Sequence, residues 1–292
     1  MNRTIPIIFS LFTLIACLFL SACAVHTSHI TPFPNPFFAM DTGTKDANHP
    51  TILRQAPMLS ELGYDGFGYT GTKAIPETLN ELDKYHLRLF TIYLQVSIDP
   101  GKPNYDPALP QAVKQLKGRQ TILWLTVNSK SCKPSSPDGD PCAVKIISEI
   151  ADIAQQSGLR VALYPHFGSW LERVEHAVRL AKKVNRKNLG VTFNLCHWLR
   201  TDDEKNLQPI LRAAMPYLFL VTINGADSGG KDWNQLIQPL DSGTFDTFRF
   251  LRTLKQLGYT GPIGLQHYGI KGDARKNLKR SISAWILFDC KT

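Results

Sequence analysis

The feature that most constrains the fold of this chain is a recurring alternation of short apolar runs with longer segments of helical periodicity. Eight apolar runs follow one another from residue 37 onward, and most are continuous rather than alternating in polarity. Continuous apolar runs are typical of parallel strands covered on both faces. The predicted strands comprise residues 37–40, 64–68, 89–96, 121–127, 159–164, 189–193, 217–223 and 261–265.

Three of the intervening segments have a clear helical pattern. In each, apolar residues recur every three or four positions and form one stripe along the predicted helix. Gly158 follows the first segment and Gly258 follows the third, where a helix is expected to stop. The predicted helices comprise residues 144–157, 169–185 and 244–257.

The junction between helix and strand occurs twice in nearly the same form, as LGYDG at 62–66 and LGYTG at 257–261. Eight βα units of about 30 residues each predict a single (β/α)8 TIM barrel of the α/β class over residues 37–292. A doubly wound open sheet is the alternative, but neither a GxGxxG motif nor a Walker loop favours it. Nothing in the pattern indicates a second domain.

Residues 1–22 are predicted to be a lipoprotein signal peptide. Arg3 provides a basic start, and the apolar core at 7–20 is shorter than the roughly 20 residues of a membrane-spanning helix. The sequence LSAC at 20–23 resembles the bacterial lipobox, which implies cleavage before Cys23 and lipidation of its thiol. An uncleaved N-terminal anchor is the alternative.

The residues after the lipobox extend this prediction. Residue 24 is Ala rather than Asp, which by resemblance to lipoprotein sorting implies the outer membrane, with the protein facing the periplasm. Residues 23–36 are polar and rich in Pro, as in a tether. In an oxidising compartment we expect a disulfide between Cys132 and Cys142, which flank the loop KPSSPDGDP; two free thiols are the alternative.

The net charge of +9 falls to +8 when Arg3 is removed with the signal peptide. Many basic residues lie on the outer faces or ends of predicted helices and in residues 271–280, and none forms a phosphate-binding motif. The charge therefore indicates a surface that faces anionic lipid, lipopolysaccharide or cell-wall polymer, not a nucleic-acid site.

The functional site of a TIM barrel lies at the C-terminal ends of its strands, and polar residues close every predicted strand. His166 and His197 are candidates for proton transfer, and Tyr164 is a candidate acid. Further side chains are predicted to bind a hydroxylated ligand: Asp41, Gln95, Asn128, Asn194, Asn224, Gln266 and His267.

Structural roles are open for each histidine. His166 could cap the loop after its strand, His197 could hold Cys196 or a backbone carbonyl, and His267 could point away from the pocket. Several aromatic residues could supply a stacking face for a sugar or could instead be packing residues: Trp124, Trp170, Trp198 and Tyr268.

The segments VALYPHFG, GVTFNLCHW and GYTGPIGLQHYG resemble the xylose isomerase-like TIM barrels, the sugar phosphate isomerase/epimerase superfamily. That group also includes endonuclease-IV-type repair enzymes. The resemblance covers about residues 37–288 and implies a barrel that acts on a sugar or polyol. The nucleic-acid activity needs a cluster of metal-binding carboxylates and histidines, which this chain does not show.

In that family a Glu after strand five, an Asp after strand six, a His after strand seven and a Glu after strand eight bind a divalent cation. The matching positions here are Tyr164, Asn194, Thr222 and Gln266, and none keeps the metal-binding residue type. Mg²⁺ and Mn²⁺ need anionic oxygen ligands, so we expect no resident metal cofactor. The family's histidine of strand six that lies behind the metal ligands looks retained, as His197.

Two functions from different classes follow. The first is an enzyme, isomerase- or epimerase-like with a lyase or hydrolase also open, that uses metal-independent acid–base chemistry on a sugar or polyol. The second is a catalytically inactive barrel that binds carbohydrate or a cell-wall fragment at the membrane. The sequence does not indicate an oligomeric state.

Overall fold

The computed structural model describes residues 33, 35–101 and 103–289. The predicted signal peptide at 1–22, the lipidation site Cys23 and most of the predicted tether at 23–36 lie outside the described residues. In the described part of the chain, no helix is long and apolar enough to cross a membrane.

Eight parallel strands pair in chain order and close into a barrel through the pairing of β8 with β1. This confirms the predicted (β/α)8 architecture, and the observed strands begin or end within two residues of the predicted ones. The strands are β1 (Phe37–Met40), β2 (Gly66–Thr70), β3 (Arg88–Ser97), β4 (Ile122–Asn128), β5 (Arg160–Leu163), β6 (Leu189–Asn194), β7 (Leu218–Ile223) and β8 (Ile263–Leu265).

Ten α-helices lie in the described residues. They are α1 (Ile52–Leu62), α2 (Ile75–Lys84), α3 (Leu109–Gln115), α4 (Asp140–Gln155), α5 (Val174–Val184), α6 (Leu195–Thr201), α7 (Leu207–Ala214), α8 (Trp233–Leu236), α9 (Thr247–Gln256) and α10 (Ala274–Asp289).

The three predicted helices correspond to α4, α5 and α9, but their starts differ. Helix α4 begins four residues earlier than predicted, with Pro141 in its first turn. Helix α5 begins five residues later, because the chain after β5 first forms a loop over the end of the barrel. Helix α9 begins at Thr247, where the Asp246 side chain accepts a hydrogen bond from the Arg249 amide.

The repeated LGY junction has the predicted local structure. Gly63 ends α1 with φ of 87°, and Gly258 follows α9 with φ of 82°. Glycine adopts the left-handed backbone conformation without steric cost. This conformation at the helix end lets backbone amides donate to the last carbonyl groups of the helix. The repeat therefore marks equivalent helix-to-strand joints before β2 and before β8.

Two separate sets of apolar side chains stabilise the barrel. The larger set packs between the strands and the surrounding helices. The smaller set fills the barrel interior and consists of Phe38, Met40, Phe90, Ile122, Trp124, Ala162, Tyr164 and Leu220. A Cβ atom on Gly264 would lie 2.7 Å from the Phe38 ring, so glycine at this position makes room for that ring. The interior set forms the floor on which the site is built.

The structure does not contain the expected disulfide. Cys132 and Cys142 are both free thiols, the first half-buried and the second exposed on the first turn of α4. Asp99 instead holds the start of this loop, because its carboxylate accepts hydrogen bonds from Ser129 Oγ, Ser131 Oγ and the Lys130 amide. These bonds order the loop without a covalent link, which corrects the prediction for this structure.

Candidate functional site

A cavity of about 550 Å³ opens at the C-terminal ends of the strands, where the sequence predicts the site. Its volume falls in the range of about 300–1,000 Å³ that is usual for small-molecule pockets. We call it the inner cavity. Its lining contains no carboxylate, ammonium or guanidinium group among the described residues, and its polar side chains are Thr42, Thr70, Tyr93, Gln95, Trp124, Tyr164, His166, His197, Trp233, Gln266 and Tyr268.

Two stacked aromatic rings form part of the floor of the inner cavity. The ring centroids of Trp124 and Tyr164 are 3.9 Å apart, with 19° between the ring planes. Trp124 Nε1 donates to Thr192 Oγ1 at 2.8 Å, which fixes the indole. Burial raises the pKa of Tyr164 well above 10, so its phenol remains protonated and acts as a hydrogen-bonding group.

Asn194 closes β6 and organises the residues around it. Its Oδ1 accepts hydrogen bonds from the His197 amide and from Cys196 Sγ, both at 3.1 Å, and so caps the start of α6. Its Nδ2 donates to Tyr164 Oη at 3.2 Å. The side chain therefore holds the strand end, the helix and the phenol together, and places His197 in the first turn of α6.

His166 and His197 lie side by side at the cavity wall, with ring centroids 3.9 Å apart. The peptide groups of Phe167 contact both rings. His166 Nδ1 lies 2.9 Å from the Phe167 carbonyl oxygen, and the Phe167 amide donates to His197 Nδ1 at 3.2 Å.

These two contacts assign opposite tautomers to the neutral rings. A carbonyl oxygen only accepts, so His166 carries its proton on Nδ1 and has a lone pair on Nε2. An amide only donates, so His197 has its lone pair on Nδ1 and a proton on Nε2. One imidazole is thus a base and its neighbour is a donor.

Burial lowers the pKa of His166, although its bond to the Phe167 carbonyl partly opposes this effect. Burial also lowers the pKa of His197 well below 6.5, and repulsion from His166 adds to the effect. Both rings are therefore neutral at neutral pH, as the tautomer assignment requires.

Other predicted ligand-binding residues occupy different places. Gln95 and Gln266 line the inner cavity, and Gln266 Oε1 accepts a hydrogen bond from Thr42 Oγ1 at 3.1 Å. Asp41 lies beside the cavity lining, where its carboxylate accepts bonds from the amide and hydroxyl of Thr70. Asn128 closes β4 outside the lining, and its carbonyl accepts from the Ile98 amide.

Two predicted ligand-binding residues are directed away from the cavity, which corrects their assignment. Asn224 is fully buried, and its Nδ2 donates to the carbonyl oxygens of Gly225 and Leu236. His267 is also buried, with its Nε2 2.9 Å from Ser281 Oγ on α10. Both side chains connect the barrel to the elements around it.

Trp233 and Phe167 belong to the site, although the sequence did not predict them as site residues. Trp233 lies ten residues after β7, so no strand end marks it. Its ring makes T-shaped contacts with the rings of Phe167 and His197. Of the four aromatic residues considered for stacking, Trp124 and Tyr268 line the cavity, whereas Trp170 and Trp198 are buried packing residues.

The four side chains at the positions predicted to match the family's metal ligands do not fit a divalent cation. The carbonyl oxygen of Asn194 is used by an amide and a thiol, and that of Gln266 by a hydroxyl. The Thr222 hydroxyl is buried, and Tyr164 is a protonated phenol. This neutral donor set lacks the anionic oxygens that Mg²⁺ or Mn²⁺ requires. The described residues also contain no cluster of three or more His, Cys, Asp or Glu side chains that could hold a metal ion.

Comparison with known proteins agrees with this architecture. The family model described as "Xylose isomerase-like TIM barrel" matches residues 58–286. An uncharacterised protein of Methanocaldococcus jannaschii is 27% identical over 134 residues. That match covers 45% of this chain and 44% of the relative, so the chain spans less than half of the relative's length.

Solved structures share the fold at low sequence identity. The 3-keto-D-glucoside 4-epimerase of E. coli is 17% identical, with a TM-score of 0.71 over 87% of this chain and 99% of its own. The D-allulose 3-epimerase of Methylomonas sp., solved with D-allulose, is 18% identical, with a TM-score of 0.67 over 87% and 96%. A barrel from Mycobacterium smegmatis in complex with magnesium is 17% identical, with a TM-score of 0.64 over 88% and 97%.

Proposed function

The chain belongs to the xylose isomerase-like TIM barrel family, and on that premise we propose that it binds a sugar or polyol in the inner cavity and moves a proton within it by metal-independent acid–base chemistry. The similar folds of two sugar epimerases support the substrate class. The observation that carries the chemistry is the pair of neutral imidazoles held in opposite tautomers by Phe167.

The proposed step is reversible enolisation. His166 Nε2 takes the proton from a carbon next to the substrate carbonyl, and the electron pair of that C–H bond forms the C=C bond of the enol. His197 Nε2–H hydrogen-bonds to the carbonyl oxygen and supplies the proton that this oxygen gains. Return of a proton to the same or the neighbouring carbon gives an epimer or an isomer.

The remaining polar groups orient the ligand. The Tyr164 phenol donates and accepts hydrogen bonds without ionising, because burial raises its pKa. Gln95 and Gln266 supply neutral amides on the cavity wall. A cavity lined by neutral donors and acceptors suits the hydroxyl groups of an uncharged sugar and offers no counter-charge to a phosphorylated one.

The test is deuterium exchange in D₂O. EDTA-treated protein is incubated with aldoses, ketoses and inosose, and carbon-bound hydrogen is followed by NMR. We expect exchange at a carbon next to the carbonyl of one substrate, and loss of exchange in His166→Asn. Binding of a sugar without exchange would contradict the proposed chemistry and favour a catalytically inactive carbohydrate-binding protein.

We also propose that a lipid on Cys23 anchors the protein to the outer membrane, facing the periplasm. The order of basic start, apolar core and LSAC sequence supports this. Cys23→Ser is expected to abolish incorporation of labelled palmitate. It is also expected to remove the protein from the outer-membrane fraction of the cells. Unchanged labelling and fractionation would contradict the proposal. Cys17→Ser is a matched control within the apolar core.

A further inference from the structure

A second cavity, of about 250 Å³, adjoins the inner cavity at the mouth of the barrel, and we call it the outer cavity. Trp233, Ile237 and Tyr268 line both cavities. The rest of the outer lining comes from residues 234–239 after β7 and 269–271 after β8. Because three residues are shared, the two cavities form one groove that leads outward from the paired histidines.

The shared aromatic residues are unusually exposed. Trp233 is 38% exposed and Tyr268 is 64% exposed. Five large hydrophobic residues are exposed in the described part of the chain, and the two aromatic ones both lie on this groove. Exposed apolar surface beside a cavity marks a ligand groove more often than isolated surface residues do.

Hydrogen bonds within this connection hold the backbone around Trp233 in place. Helix α8 begins with a capping box, in which the Asp232 side chain and the Gln235 side chain each accept a backbone hydrogen bond. The same connection is tied to β7 by reciprocal backbone bonds between Gly225 and Gln238, at 3.0 and 2.8 Å. A platform that is already ordered loses little conformational entropy when it binds.

We propose that the outer cavity is a second sugar subsite and that the substrate is a disaccharide or other glycoside. One ring lies beside His166 and His197, and the next ring packs its C–H face on Trp233 and Tyr268. Aromatic side chains combine a large apolar face with a polar edge, which suits a pyranose ring. Asn234 in the outer lining supplies an amide for its hydroxyl groups. The inference rests on the proposed function, because it assigns a sugar to the inner cavity.

Isothermal titration calorimetry on the full lipidated chain in detergent tests the second subsite. The probes are glucose with cellobiose and with maltose, xylose with xylobiose, and N-acetylglucosamine with chitobiose. In at least one pair we expect the disaccharide to bind about tenfold or more tightly than its monosaccharide. Trp233→Ala and Tyr268→Ala are expected to bring this affinity ratio towards one, and Asn234→Ala to reduce it less. Leu53→Ala removes an exposed apolar side chain of α1, outside both cavities, and is expected to leave the ratio unchanged.

The outcomes separate the two proposals. Equal affinity for mono- and disaccharide in every pair that binds would overturn the second subsite and leave the sugar site of the inner cavity standing. Equal losses for both sugars in Trp233→Ala and in Tyr268→Ala would also overturn it, because the two rings would then serve the inner cavity alone. Absence of binding by all of these sugars would overturn the proposed function and this inference together.

Discussion

The ends of β5 and β6 contrast with the ends of β7 and β8. After β5 and β6, four side chains meet at the inner cavity in one group joined by hydrogen bonds and ring contacts: Tyr164, His166, Asn194 and His197. After β7 and β8, Gln266 lines the cavity, and it is the one residue of the three predicted there to bind a ligand that does so. The other polar residues there are used to join the barrel to its surroundings.

The difference arises from the backbone that follows each strand. Asn194 ends β6 as the cap of α6, so His197 follows within one helical turn at the cavity wall. Asn224 directly follows β7 at the start of a long connection, where its amide donates to the carbonyl oxygens of Gly225 and Leu236. A polar residue at a strand end therefore identifies the correct end of the barrel, while the next few residues decide whether its side chain faces a ligand.

The largest expected effect is on catalysis by the β5–β6 group. In His166→Asn the new amide can still donate to the Phe167 carbonyl, but the base at Nε2 is lost. We expect turnover to fall by about 10²–10⁴-fold with the fold retained, measured by the D₂O exchange rate and circular dichroism. The matched variant His267→Asn is expected to keep its turnover per folded molecule. A comparable loss in both variants would remove the distinction between the two halves.

The second prediction concerns pH. Burial lowers the pKa of both His166 and His197, so both rings are neutral above pH 6.5. We expect kcat/KM to be independent of pH just above 6.5 and to fall in more acidic solution, where His166 gains a proton. A profile that rises on acidification through pH 6.5 would show that a protonated imidazole is the active form, and would contradict the tautomer pair.

His267 is expected to affect the stability of the protein, whereas His166 and His197 are expected to affect turnover. Burial lowers the pKa of His267 to about 4 in the folded protein, whereas the unfolded chain binds this proton near pH 6.5. The contribution of neutral His267 to the free energy of unfolding is therefore fully present above pH 6.5. It is lost as the pH falls towards 4, and the loss amounts to roughly 3 kcal/mol. His267→Gln should remove about this much of the pH dependence of the free energy of unfolding, as measured by urea titrations at different pH. Parallel curves for variant and wild type would contradict this.

A smaller effect is expected from the cap of α6. Asn194→Ala removes the acceptor for the His197 amide and the donor to Tyr164 Oη. We expect a loss of about 1–2 kcal/mol in the free energy of unfolding. Asn194→Ser keeps a capping oxygen without burying a charge and should recover part of it in urea titrations. Equal losses in both variants would show that capping is not the stabilising contact.

The smallest effect is expected at Thr222, in a comparison of two threonines that are both fully buried. Thr192 of β6 accepts the Trp124 indole bond, whereas the Thr222 hydroxyl of β7 has no hydrogen-bond partner in the described residues. Thr192→Val should cost about 1–3 kcal/mol because a buried donor is left unpaired. Thr222→Val should be neutral or slightly stabilising, because no bond is lost. Thermal unfolding of the two variants decides this, and a larger loss for Thr222→Val would reverse the comparison.

The sequence predicted at which strand ends the site residues lie, but it did not predict which way their side chains point. Continuous apolar runs and glycine stops predicted the barrel, and strand ends predicted the layer that contains Tyr164, His166, Asn194, His197 and Gln266. Trp233 was missed because it lies in a connection with no periodic signal. His267 and Asn224 were misassigned because a side chain at a strand end can face either the cavity or the surrounding elements. Contacts with α10 orient His267, and contacts with the connection after β7 orient Asn224.

The sequence by itself determined the number and order of the βα units, because hydrophobic periodicity and glycine stops are local properties of the chain. It also determined that the positions predicted to match the family's metal ligands carry no carboxylate: they are Tyr164, Asn194, Thr222 and Gln266. Only the tertiary structure decided that the Phe167 peptide groups hydrogen-bond to two imidazoles and give them opposite tautomers. It also decided that Trp233 and Tyr268 share a groove, because such contacts join residues about 30 apart whose distance depends on how the whole barrel closes.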